Sequence, residues 1–170
     1  EMEELIEKIF KELDELKQEN SKIFLSSSLQ THSIPLVHII HNYDDKLPIY
    51  FLDTGYHFPE TIQFKEQLKS EYGFNIIELR SNISRINQRD SNGRLLYASD
   101  PDYCCHINKV QPLEPILKEY DIWISGVRSN QTSHRAKMAK VEKGKFDTLH
   151  YHPILDWTTK LIFEYRKKYD

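Results

Sequence analysis

The 170-residue sequence predicts an α/β fold: a doubly wound, mostly parallel five-stranded sheet with helices on both faces. Three observations predict it. Short apolar runs recur at KIFL (22–25), LPIYFLD (47–53), FNIIELR (74–80), DIWISG (121–126) and TLHYHPI (148–154). Segments with helical spacing or a helix-opening proline separate most of them. The runs are continuous rather than alternating, as expected of strands buried on both faces of a parallel sheet.

In chain order, Met2, Leu5, Ile6, Ile9, Leu13 and Leu16 form one apolar stripe, predicting a helix over 1–20. KIFL is the first strand and runs into Ser26, Ser27 and Ser28. SIPLVHII is a helix with Ser33 as cap and Pro35 in its first turn; His38 and His41 ride on it. The second strand, LPIYFLD, leads through Gly55 into FPETIQFKEQLKSEY, a helix with Pro59 near its start and Gly73 closing it. FNIIELR is the third strand. Residues 87–103 are polar and turn-rich, a candidate mobile loop. A helical stretch begins near Cys104 and Cys105 and is broken or bent at Pro112 and Pro115. DIWISG is the fourth strand, followed by RSNQTSHRAKMAKVEKGKF, which is basic and has no apolar periodicity. TLHYHPI is the fifth, with His150 and His152 on one side, and Asp156 is expected to cap a final helix.

The length fits a single domain over 1–170 with a continuous core. A net charge of −3 argues against broad nucleic-acid or membrane-surface binding, while leaving room for a local basic pocket. No apolar run approaches the roughly 18 residues of a membrane span. The acidic N-terminus is unlike a signal peptide. Two cysteines make no secreted disulfide framework, so a reducing cytoplasm is expected. A homo-oligomer is also expected.

Ligands of open parallel sheets bind beyond the carboxyl ends of the strands. Four such ends carry polar groups here: SSS, DTG, Arg80 and GVR. SSSLQTHS offers three hydroxyls and the N–H groups of a following helix, which make either an anion cradle or a capping turn. Asp-Thr-Gly is also the signature of aspartic proteases, but those are all-β and need two carboxylates sharing a proton. Asp53 and Thr54 serve instead as ligand hydrogen-bonding groups or as an Asx-type turn. Gly126 allows a close backbone approach. Arg128 and Arg135 present planar forks suited to phosphate or sulfate oxygens, or else belong to a solvated basic loop.

Cys104 and Cys105 are the only thiols. A trans peptide holds neighbouring Cα atoms about 3.8 Å apart, and disulfides usually need about 4.4–6.8 Å, so a bridge between them would be strained. Buried thiols, half a metal site and a redox thiol remain open. On a helix, Cys105 and Lys109 lie on one face, where the lysine would offset thiolate charge.

In this order, FLSSS, YFLDTGYHFPETIQF, CCHINKVQPL, ISGVRSNQTSHR and HPILDW resemble the adenylyl-sulfate and phosphoadenylyl-sulfate reductases of sulfate assimilation, from about Lys22 onward. The resemblance implies an adenine-nucleotide α-hydrolase-like fold. SSSLQTHS stands where ATP pyrophosphatases carry a glycine-rich SGGxDS loop. The implied activity is reduction of adenylyl sulfate, or phosphoadenylyl sulfate, to sulfite. A cysteine attacks the sulfur, expels the nucleotide, and thioredoxin resolves the S-sulfocysteine. By position, Ser26, Ser27 and Ser28 would hold the phosphate or ribose end. Leu52, Asp53 and Gly126 would line the adenosine cleft, and Lys109, Arg128 and Arg135 would face phosphate and sulfate. Members with a cysteine pair carry a [4Fe–4S] cluster, so Cys104 and Cys105 are expected to be two of its four ligands. The family's downstream CxxC and its catalytic cysteine do not occur in the 170 residues; an omitted C-terminal part is expected. The rival readings are an ATP-using relative on the same fold (a sulfate adenylyltransferase subunit or thiolation enzyme) and a non-catalytic nucleotide-binding domain.

Overall fold

A computed structural model describes residues 2–17, 21–29, 31–53, 59–80, 89, 91–94, 113–126, 128, 140–143 and 148–169. The elements are α1 (Met2–Leu16), β1 (Ile23–Ser27), a 3-10 turn (Thr31–Ser33), α2 (Ile34–Tyr43), β2 (Ile49–Asp53), α3 (Pro59–Ser70) and β3 (Ile76–Arg80). These are followed by α4 (Glu114–Glu119), β4 (Ile122–Ser125), β5 (Val141–Lys143), β6 (Leu149–Tyr151) and α5 (Thr159–Tyr169).

One sheet runs in the order β3-β2-β1-β4-β6-β5. Every pairing is parallel except the last, where β5 lies antiparallel on β6. The expected parallel core is borne out, but the count of five is corrected to six. β5 escaped the sequence because it is a three-residue edge strand, Val-Glu-Lys, inside a basic run; Val141 is 39% exposed. An edge strand buries too little to leave an apolar signal.

The two sheet faces are covered unequally. On one, Ile9 and Leu13 of α1, Leu36 and Ile40 of α2, Leu68 of α3 and Ile162 of α5 pack over Ile23, Leu25, Ile49, Phe51, Ile122 and Ile124. Lys65 of α3 is buried on this face and ion-pairs with Glu78 of β3. On the other, Phe24 and Tyr50 pack against Leu113 and Leu117 at α4. Phe24, Leu25, Phe51 and Ile124 retain no exposed surface.

Local chemistry sets the boundaries. Pro115 stands in the first turn of α4, so it opens that helix where a break or bend was expected. Gly73 adopts φ 70°, and the chain returns after α3 with the Phe74 N–H donating to the Leu68 carbonyl at 3.0 Å. Ser33 is the N-cap residue of α2 as expected, but its hydroxyl pairs with Ser28 Oγ at 3.3 Å instead of capping. Thr158, rather than Asp156, caps α5: its Oγ1 accepts from the Leu161 N–H at 3.1 Å. Among the described residues no helix is long and apolar enough to cross a membrane.

The second face also carries a polar row. Ser125 Oγ lies 3.0 Å from His150 Nε2 and 2.9 Å from His152 Nδ1. Both histidines thus turn to one side of the β6 segment, as the sequence predicts. Burial, reinforced by the neighbouring His152, pushes the His150 imidazole down to about 3. This lies below the ordinary value of about 6.5, so the unfolded chain takes up a proton first as pH falls. His150 therefore contributes stability that is present above pH ~6.5 and lost as pH drops toward about 3.

Two outcomes are expected from urea titrations. Leu25→Ala, in a central strand, costs about 2–5 kcal/mol, whereas Phe163→Ala, on the exposed side of α5, stays within about 0.5 kcal/mol. Lowering the pH from 7 to 5 costs up to ~2 kcal/mol through His150, and His150→Gln narrows that gap. An unchanged gap in the variant contradicts the assignment.

Candidate functional site

The strand order creates the site. From β1 the chain steps outward through α2 to β2 and through α3 to β3. It then returns to lay β4 against the opposite side of β1. The direction of winding reverses between β1 and β4, and open α/β sheets bind ligands at such a reversal, beyond the carboxyl ends. The ends of β1, β2, β3 and β4 share one edge because those strands are mutually parallel. The four polar strand ends named from the sequence therefore lie along one edge of the sheet.

At the β1 end the three serines do different things. Ser26 is the register partner of Ser125 on β4, and its Oγ accepts the Trp123 Nε1–H at 2.7 Å. Ser27 is buried, and its Oγ accepts the Leu29 N–H at 3.0 Å. That bond holds a tight turn in which Leu29 takes φ 55°, a left-handed conformation rare for a branched residue. Ser28 Oγ reaches Ser33 Oγ, linking the strand end to the start of α2. Ser27 thus closes a local turn rather than capping α2, while Ser26 stands at the switch point.

Leu52 and Asp53 are the last two residues of β2, in register with Leu79 and Arg80; their side chains lie outside the description. Gly126 directly follows β4. A Cβ there would sit 3.6 Å from Leu36 Cδ2 and 4.0 Å from Ile154 Cδ1, ordinary contacts, so packing alone does not demand glycine. Arg128 is 6% exposed, and its Nη1 donates to Thr159 Oγ1 at 3.4 Å, tying the loop after β4 to the first residue of α5. Burial lowers the pKa of its guanidinium. Arginine nevertheless stays charged in proteins, so the loop after β4 holds a buried cation. Lys109, Arg135, Cys104 and Cys105 lie outside the described residues, as do Thr54 and most of the 87–103 loop. Among the described residues no cluster of three or more His, Cys, Asp or Glu is poised for a metal.

Sequence reading missed Trp123 and Ser125. They face the same side as Ser26, and the signal was available: in DIWISG the two isoleucines alternate with Trp and Ser immediately before Gly126. The indole is stacked on His150, centroids 3.7 Å apart at 6°, and lies parallel to Phe24 at 6.2 Å and 3°.

A separate groove of about 700 Å³ runs between α2, α3 and α5, lined by Leu29, His38, Phe64, Phe74 and Tyr165 among others. Its walls are mainly aromatic and aliphatic. The serines, Gly126 and the buried Arg128 lie outside this groove.

Comparison with known proteins bears on the family and the fold. The sequence profile of the phosphoadenosine phosphosulfate reductase domain matches residues 22–170. Adenosine 5'-phosphosulfate reductase of Chelativorans sp. is 36% identical over 134 residues, 78% of this chain and 54% of that protein. The chain spans about half to two thirds of the first curated relatives it matches. Among solved structures, phosphoadenylyl-sulfate reductase from Candida auris superposes with a TM-score of 0.74 at 15% identity, covering 96% of this chain and 78% of that one. FMN adenylyltransferase of Candida glabrata, in complex with ATP, gives 0.66 at 16% identity, covering 97% and 54%. At these identities the structures establish the fold, the expected adenine-nucleotide type. With a domain profile spanning nearly the whole sequence, the chain belongs to the phosphoadenosine phosphosulfate reductase domain family.

Proposed function

We propose that this chain forms the nucleotide-binding part of an enzyme that reduces adenosine 5'-phosphosulfate, or its 3'-phosphorylated form, to sulfite. The observation that carries the reading is the juxtaposition at the β1/β4 reversal. The serine turn and Gly126 stand there at the ends of adjacent parallel strands. The names of the curated relatives support the adenylyl-sulfate reaction.

In that reaction a thiolate attacks the sulfur of the sulfate group. The bond from sulfur to the bridging phosphate oxygen breaks, and the nucleotide leaves with the electron pair. A second thiol then attacks the cysteine Sγ of the resulting S-sulfocysteine; the bond from Sγ to the sulfonate sulfur breaks, a disulfide forms and sulfite leaves with the electron pair. Sulfur is reduced by two electrons and two thiols are oxidised to one disulfide. Thioredoxin is the proposed second thiol donor. Cys104 and Cys105 are assigned to iron, so the attacking thiol comes from outside these 170 residues.

The chain's own residues bind, orient and neutralise. Ser26 and Ser28 donate to the phosphate end of the nucleotide, and Ser27 shapes the turn that presents them. Leu52, Asp53 and Gly126 line the adenosine cleft. Arg128, Lys109 and Arg135 balance the oxygens of sulfate and of the leaving phosphate, where charge grows as the bond breaks. Cys104 and Cys105 supply two of the four thiolates that a [4Fe–4S] cluster takes, so they fit half of its donor set. When bound, such a cluster would add negative charge, which Lys109, four positions after Cys105, would offset if the segment is helical. The protein is proposed to work in the cytoplasm as a homo-oligomer.

Replacement of Arg128 by alanine in the full-length protein is expected to weaken binding of adenosine 5'-phosphosulfate by about ten- to a hundredfold in calorimetry, a lost charged hydrogen bond being worth ~1.5–3 kcal/mol. Lys109→Ala weakens it in the same direction. Wild-type affinity in both variants, with intact melting transitions, rejects these roles. Release of pyrophosphate from ATP by the wild-type protein would favour an ATP-using relative instead. For the cluster, anaerobically purified full-length protein is expected to be brown, and Cys104→Ser with Cys105→Ser to be colourless and iron-free.

A further inference from the structure

Ser26 is reached by a partner that can act in only one way. The indole N–H of Trp123 is a donor with no acceptor function, and it points at Ser26 Oγ from 2.7 Å. The serine oxygen therefore accepts on that side, and its own proton turns elsewhere. The indole has little freedom to release this bond. It lies parallel to Phe24 on β1, which is fully buried, and is stacked on His150 of β6 at 3.7 Å. Strand register fixes the row: Phe24 pairs with Trp123, and Trp123 pairs with His150. The His150 ring is held in turn by Ser125 Oγ at 3.0 Å, and Ser125 is held from its other side by His152 Nδ1 at 2.9 Å. An imidazole kept neutral by burial suits this stack, since it brings no charge beside the crevice.

We propose that Trp123 is a positioning residue, clamped between Phe24 and His150, that commits the Ser26 hydroxyl to donate to an anionic oxygen of the ligand beyond β1. The role rests on the reading of the β1/β4 edge as a nucleotide-sulfate site. It adds the group that sets the polarity of that edge: a ligand presenting acceptor oxygens is matched there, and one presenting a donor is not. Trp123 acts through Ser26 without touching the ligand, so the two residues are energetically one unit.

The test is a double-mutant cycle in the full-length protein, titrated with adenosine 5'-phosphosulfate by calorimetry. Trp123→Phe keeps a stacking ring and removes the N–H. It should weaken binding about tenfold with an unchanged melting temperature, as should Ser26→Ala. The double variant should bind no more weakly than Ser26→Ala alone. Wild-type affinity in Trp123→Phe, or losses that add in full, overturns the role. Should Trp123→Phe fail to fold, indole resonances of the 15N-labelled wild-type protein decide. The chain has two tryptophans, and Trp157→Phe assigns the signals. The Trp123 resonance should move as the ligand saturates, and a stationary one overturns the proposal. A wild-type protein that binds no adenosine 5'-phosphosulfate instead overturns the reading of the site on which the proposal stands.

Discussion

The parallel pairing of β1 with β4 is the constraint on which the rest depends. Leu25 and Ile124, register partners with no exposed surface, hold it from the helix-covered face. Because side chains alternate along a strand, this burial fixes what points the other way: Phe24, Ser26, Trp123 and Ser125. A slip of one residue would drive Leu25 out of the core and put Ser26 into it, so core packing and site register are set by the same contacts. The direction of winding reverses at this pair, the position at which open α/β sheets bind ligands.

Polar groups at this edge are arranged at some local expense. Leu29 holds φ 55°, where a side chain with a Cβ sits about 1–2 kcal/mol above its preferred basin, and the Ser27 hydroxyl offsets part of that by binding the Leu29 N–H. Glycine would make such a turn without strain; here a buried serine does it, and Leu29 in return fills the end of the core. Arg128 carries a charge at a position only 6% exposed, a costly placement unless the charge is partnered. His150, also largely buried, stays neutral instead. Among the described residues, Arg128 carries a buried charge after β4, while the His150 ring in the aromatic row stays neutral.

Much of this was legible in the sequence, and what was not has physical causes. Runs such as KIFL and LPIYFLD announce strands because both faces of the central sheet are apolar, and Pro59 and Pro35 mark helix starts through their fixed φ. β5 gave no such sign, since an exposed three-residue edge strand owes its existence to pairing with β6 rather than to its own composition. The cap of α5 was misread because Asp156 and Thr158 are both good caps, and only the turn at 153–156 determines which one meets the helix. The serine loop was found as a unit, but the division of labour among Ser26, Ser27 and Ser28 follows from strand alternation and from tertiary partners. Trp123 lies 97 positions from Ser26, and no local pattern links them. The motif at the cysteines could be named from the sequence; its geometry falls outside the described residues.

The most direct measurement is a crystal structure of the full-length protein with adenosine 5'-phosphosulfate bound. The account predicts the phosphate and sulfate just beyond the ends of β1 and β4, within hydrogen-bonding distance of Ser26 and facing Arg128. Ligand density in the groove between α2, α3 and α5, with the β1/β4 edge empty, would contradict it.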